Sequence, residues 1–217
     1  MATSSDDPPR LPSVVIHPLT VRVGHWINAL AILIMIFSGW RIYNASAIFP
    51  FHFPSSLTLG GWLAGALQWH FAAMWLLVAN GIVYLLYGII SGHYRASFFP
   101  LTARAVAREF ADVFRGRLSH RVGTYNAVQK MSYLVVILLG IVLVLSGLCI
   151  WKPVQFQSLA AIMGGYEGAR LVHFFAMAGV VGFIVVHVTL VILVPSTLLP
   201  MFTGRAPRDS ASSGGGN

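Results

Sequence analysis

From Leu171 to Met201 the chain carries no Asp, Glu, Lys or Arg. A charge-free run of that length reads as a helix across a bilayer. About 20 residues rising 1.5 Å each cross the hydrocarbon, where a helix satisfies its own backbone. Two histidines, His173 and His187, stand inside the run. Their spacing is just under four turns, so both imidazoles leave from nearly one face, about 21 Å apart along the axis. Ionisable groups at such depths are costly and mark function.

Three more apolar spans precede this one. The four run over residues 21–43, 61–91, 127–151 and 169–199. Charged residues make up 9% of the 217-residue chain, where a soluble domain carries about a quarter. No segment alternates with the period of a membrane barrel strand. The expected fold is an all-α membrane protein, a four-transmembrane-helix bundle formed by one domain over residues 21–200. Residues 1–20 read as a cytoplasmic leader without a cleavable signal, and 201–217, ending in SASSGGGN, as a flexible cytoplasmic tail. The single Cys149 excludes an internal disulfide, a cysteine-held iron–sulfur cluster and a covalent C-x-x-C-H haem. It reads as a small apolar helix residue.

Orientation follows from the basic residues. Arg95, Arg104, Arg108, Arg115, Arg117, Arg121 and Lys130 lie between the second and third spans, with Arg10, Arg22, Arg205 and Arg208 on the terminal flanks. Opposite them stand Arg41, Lys152 and Arg170. The positive-inside rule therefore places both termini and the middle loop in the cytoplasm. The net charge of +8 is accounted for by topology and contact with anionic lipid, and nucleic acid is not implied.

Depth then pairs the histidines. His25 opens the first span on the cytoplasmic side, His70 lies in the outer third of the second, and the fourth enters from outside with His173 before His187. Matching depths pairs His70 with His173 and His25 with His187. Imidazole is a good axial ligand for iron, and helix bundles hold such sites between facing helices. The expectation is two bis-histidine b-type haems stacked across the membrane. A structural zinc site would need four ligands converging in one shell, and these four separate into two levels. His17, His52, His93 and His120 fall in flanks or loops and read as hydrated. Arg22 and Arg170 each precede a candidate ligand by three residues, on the same helix face. They either reach haem propionates or snorkel to the interface. Gly39 and Gly147, at outer depth, either make room for a flat macrocycle or pack helices closely.

A resemblance rests on an ordered set of residues. Arg22-Val-Gly-His25-Trp26 opens the first span, and Gln68-Trp69-His70 lies in the second. Tyr125-Asn126-Ala-Val-Gln129-Lys130 opens the third, which ends near Ser146-Gly147. Gly164-Gly165-Tyr166-Glu167-Gly168-Ala169-Arg170-Leu-Val-His173-Phe174 and His187 follow. Over residues 14–204 the chain resembles the di-haem cytochrome b superfamily. That group includes hydrogenase cytochrome b subunits, formate dehydrogenase gamma subunits and cytochrome b-561-type proteins, and the likeness is greatest to thiosulfate-reductase-type subunits.

The resemblance implies a multi-pass protein of the bacterial inner membrane. It implies an electron-transfer subunit that anchors a periplasmic catalytic partner, a molybdopterin enzyme or hydrogenase, and exchanges electrons with membrane quinone. In the formate dehydrogenase relatives an asparagine opening the third helix contributes to a quinone pocket. Asn126 matches it, with Gln129 and Lys130 one turn on. The other readings are that Asn126 caps the helix and Lys130 snorkels. Unlike related gamma subunits, the chain has only short polar tails. Its outer connections, with Phe49, Phe51, Phe53, Pro54, Trp151, Pro153 and Phe156, read either as a docking surface or as an aromatic belt.

Two other functions compete. Similar four-helix di-haem proteins are stand-alone superoxide:ubiquinone oxidoreductases. Such an enzyme needs a basic funnel, whereas the outer face offers Arg41, Lys152 and Arg170 against Glu167. A non-redox transporter or scaffold leaves the paired histidines unexplained.

Overall fold

Each apolar run is helical in the computed structural model, which describes residues 13–15, 18–90, 127–195 and 198–207. Helix α1 spans Leu19–Ala45, α2 Leu63–Ile90 and α3 Ala127–Trp151. The short α4, Gln157–Ile162, precedes α5, Gly165–Leu193, and α6 covers Leu198–Thr203. All four long helices carry stretches long and apolar enough to cross a membrane. Pro18 starts α1: its fixed φ of −63° suits helix entry, and its carbonyl accepts from Val21 N and Arg22 N at 3.1 and 3.3 Å.

The helices pair as α1 with α2 and α3 with α5. Both pairs are antiparallel, because contacts climb one helix while descending the other. Asn80 meets Gly24 and His70 meets Ser38 in the first pair. Gly179 faces Leu139 and His173 meets Ser146 in the second. Among the described residues, no helix of one pair packs extensively on a helix of the other. The large apolar side chains turn mostly outward, as in Ile90, Ile192 and Leu193. Lipid solvates such a surface where water would not.

The fourth span differs from its sequence reading at both ends. Helix α5 begins at Gly165 because Gly164 and Gly165 adopt φ of 87° and 83°, left-handed values open to glycine, and so reverse the chain after α4. It stops at Leu193, two residues before Pro195, which cannot donate to the ladder and disfavours helix in the residue preceding it. Within the segment read as a tail, α6 extends to Thr203. Arg205–Pro207 (β2) then pairs antiparallel with Ser13–Val15 (β1). This ladder brings the two ends of the described chain together at one end of the bundle, the terminal end. Residues 208–217 lie outside the described residues.

The opposite, loop end is closed by its own aromatics. Asn44 clasps Phe53, donating Nδ2 to its carbonyl at 2.8 Å and accepting its N–H at 2.9 Å. Phe49 and Phe51 then pack on Tyr43 and Phe174, and Phe53 stacks on Trp40 at 4.6 Å. Phe49 and Phe53 thus turn into a cap over the bundle. Trp151 packs on Phe71, and Phe156 covers the small buried cluster of Cys149, Ala160 and Ala169.

Candidate functional site

Four histidines meet in two pairs between the helix hairpins. At the terminal end His25 of α1 faces His187 of α5, ring centroids 6.1 Å apart and planes at 57°. At the loop end His70 of α2 faces His173 of α5 at 6.5 Å and 60°. These are the pairs that depth matching predicts. Two imidazoles holding one metal ion from opposite sides, each nitrogen at about 2 Å, place their centroids roughly 6 Å apart. Among the described residues no three His, Cys, Asp or Glu side chains converge. Each pair therefore offers a metal two positions, and the remaining positions fall to a chelating group from outside the chain.

The space beside the rings suits such a group. Gly39 and Gly147 border the loop-end pair, where an added Cβ would stand 3.5 Å from His70 Cε1 and 3.4 Å from His173 Cε1. Next to Gly39, the indole Nε1 of Trp40 is buried with no hydrogen-bond partner among the described residues. An unpaired buried donor costs about 1–3 kcal/mol. An acceptor carried by a ligand at this level would pair it. At the other level Phe183, one turn before His187, stacks on its ring at 5.7 Å, and Trp26 meets His25 edge-on at 5.3 Å.

A profile of prokaryotic cytochrome b561 matches residues 16–204, nearly the whole described chain. The chain belongs to the prokaryotic cytochrome b561 family. It is 53% identical, over 87% of its length and 96% of the relative's, to a putative protein-methionine-sulfoxide reductase subunit YedZ1 of Azospira oryzae. It is 23% identical, over 80% of its length and 76% of the relative's, to a probable Ni/Fe-hydrogenase B-type cytochrome subunit of Cupriavidus necator. Membership in the cytochrome b561 family implies binding of haem b, and the paired imidazoles, glycine cradles and orphan indole fit that group.

In this cytochrome b561 the two candidate arginines sit at opposite ends and grip backbone carbonyls. Arg22 donates to the carbonyls of Met201, at 3.4 Å, and Phe202. Trp26 reinforces the hold, donating Nε1 to Met201 O at 3.4 Å and stacking on Phe202 at 4.8 Å. Arg170 pairs with Glu167 at 2.8 Å and donates to the Ser46 carbonyl that follows α1. His52 is exposed in the loop-end connection. Asn126, His17, His93 and His120 lie outside the described residues. Gln129 and Lys130 fall in the first turn of α3, their side chains outside the described set.

Ser38 and Asn80, which sequence reasoning passed over, and Ser146, named there only within the resemblance, complete the site. Ser38 Oγ lies 3.1 Å from His70 Nδ1, and Ser146 Oγ 3.0 Å from His173 Nδ1. At the terminal end Asn80 Nδ2 donates to Gly24 O at 2.8 Å and to Asn28 Oδ1 at 2.7 Å, tying α2 to α1 beside His25. The available signal was a short repeat: Phe37-Ser38-Gly39 and Leu145-Ser146-Gly147 place Ser-Gly at the same depth of the first helix in each pair.

Proposed function

We propose that this chain is a membrane-anchoring di-haem b-type cytochrome subunit, carrying electrons between a catalytic partner on the outer face of a bacterial inner membrane and quinone on the cytoplasmic side. The observation that carries this reading is the meeting of four histidines in two pairs, 6.1 and 6.5 Å between centroids, at two levels of one bundle. His25 and His187 would hold the inner iron, His70 and His173 the outer. When bound, haem b supplies reversible one-electron chemistry at its iron. The chain's part is to orient the imidazoles, leave room at Gly39 and Gly147 and keep water out with the aromatic cap.

The partner is proposed as a molybdopterin-type reductase. The name of the 53%-identical relative suggests protein methionine sulfoxide as the class of substrate that such a partner reduces. On this assignment electrons run inward-to-outward, from quinol to the partner. Arg22 and Arg170 are proposed to serve haem propionates on binding, exchanging the carbonyls they now hold. Asn126, Gln129 and Lys130 are proposed to line the quinone pocket. A stand-alone superoxide oxidase draws less support: Arg170 is engaged by Glu167 and Ser46, and Lys152 Nζ lies over the Trp151 ring, 5.0 Å from its centroid.

Single alanine variants of the four histidines test the assignment by haem stoichiometry and the dithionite-reduced spectrum. His70→Ala and His173→Ala should lose the same haem, and His25→Ala and His187→Ala the other. A His70→Ala protein retaining two haems at full stoichiometry would overturn it. Wild-type protein purified without haem would overturn the whole reading.

A further inference from the structure

Among the described residues the buried polar side chains are two serines, Ser38 and Ser146, each 0% exposed. A hydroxyl in such a place needs its partners, and both serines have the same set. Ser38 Oγ lies 2.6 Å from the Ile34 carbonyl and 3.1 Å from His70 Nδ1. Ser146 Oγ lies 2.7 Å from the Val142 carbonyl and 3.0 Å from His173 Nδ1. A hydroxyl has one proton to give, and a carbonyl oxygen can only accept. The proton therefore goes to the carbonyl one turn back, and Oγ is left to accept. The imidazole must then donate from Nδ1. The carbonyls of Met35 and Leu143, each 3.3 Å from the same hydroxyls, likewise can only accept, so every carbonyl beside Oγ competes for its one proton.

Resting on the haem reading above, we propose that Ser38 and Ser146 are positioning residues for the outer haem. They hold His70 and His173 in the tautomer with Nδ1–H, so that Nε2 presents its lone pair to iron, and they set the electron donation of both axial ligands. The adjacent glycines leave open the space beside the same rings, where an added Cβ would lie 3.5 Å from His70 Cε1 and 3.4 Å from His173 Cε1. An acceptor on Nδ1–H makes a ligating imidazole more basic. Oγ is a better acceptor because its own proton is given away, as hydrogen bonds in a chain polarise one another. A more basic imidazole stabilises ferric over ferrous iron, so the two serines hold the outer potential down.

The test uses full-length protein carrying Ser38→Ala, Ser146→Ala or both, with Ser146→Thr to restore a hydroxyl. Thr189→Val is the control: Thr189 Oγ1 donates to a carbonyl one turn back, Val185 O at 2.7 Å, on an exposed face. Haem per chain, a redox titration and the low-spin ferric electron paramagnetic resonance spectrum are read. Partners of this kind change metal binding by about 10–100-fold. A tenfold loss of ferric preference corresponds to a rise of about 59 mV in a one-electron potential. The expected result is an upward shift of one haem in each single variant, larger in the double, with the other haem and the Thr189→Val protein unmoved and the threonine variant near wild type. Loss of that haem from the alanine variants, recovered by threonine, also supports the assignment. Haem-loaded alanine variants with unchanged potentials and spectra overturn it, as does a haem loss that threonine leaves unrepaired. Both outcomes leave the haem reading standing, whereas haem-free wild-type protein removes that reading itself.

Discussion

Leucine at position 39 or 147 separates two roles for these glycines by the sign of its effects. On protein contacts alone the sites tolerate a side chain: an added Cβ lies 3.5 Å from His70 and 3.4 Å from His173, ordinary contact distances. Glycine inside a helix costs about 1 kcal/mol relative to alanine. Gly39→Ala and Gly147→Ala should therefore raise the stability of haem-depleted protein by up to about 1 kcal/mol, or about 2–4 °C in Tm for a chain of this size. With a macrocycle between the hairpins the sign reverses, because leucine adds three carbons beyond Cβ where the group must sit. Gly39→Leu and Gly147→Leu should keep the fold and carry one haem in place of two. The assay is haem stoichiometry with a thermal scan on detergent-solubilised protein. Gly179→Leu is the contrasting control. Its Cβ alone would come 3.1 Å from Leu139 between α3 and α5, so it should lower Tm and disturb both haems. Full two-haem occupancy in Gly39→Leu, or destabilised alanine variants without haem, would refute the cradle.

Asn80→Leu removes the bonds to Gly24 and Asn28. At about 0.6 kcal/mol per interhelical bond in a membrane, a loss of about 1 kcal/mol is expected, read as a lower Tm with the inner haem spectrum changing before the outer. Arg22→Ala frees the carbonyls of Met201 and Phe202 and should make α6 the first site of limited proteolysis, while an unchanged digestion pattern would show that Arg22 does not hold it. Asn126→Leu should slow quinol oxidation more than it lowers haem content, and an unaltered quinol rate counts against the quinone pocket.

The four spans and the histidine pairing were legible because both are one-dimensional. Charge-free length marks a helix, and a residue's distance along its helix, with the direction of travel, marks depth. The turning points were less legible. Gly164 and Gly165 reverse the chain and start α5 earlier than its hydrophobicity suggests, and Pro195 ends it sooner. Arg22 and Arg170 lie at opposite ends of the bundle, as their depths in the sequence suggest, yet their present partners, the carbonyls of Met201, Phe202 and Ser46, could not be read. Any backbone offers such carbonyls, and nothing in the sequence marks which one lies within reach. Ser38 stayed hidden for a similar reason: a lone serine in an apolar helix commonly bonds its own carbonyl one turn back. Only its lateral contact with His70 distinguishes it.

Both histidine pairs take one member from α5, and each takes the other from the α1–α2 hairpin. The hairpins themselves share little helix packing among the described residues. Imidazoles facing across the gap, 6.1 and 6.5 Å between centroids, are therefore among the contacts that set how far apart the halves stand. A group gripped by both members of a pair would cross-link the halves at that level, and two such groups would also fix their tilt. Ligand binding to the assembled state alone stabilises it by mass action. Haem loading should therefore be coupled to bundle assembly in this architecture. Losing either ligand pair should loosen the contact between hairpins while leaving each of them intact, α1 on α2 through Asn80 and Ser38, α3 on α5 through Ser146 and Gly179.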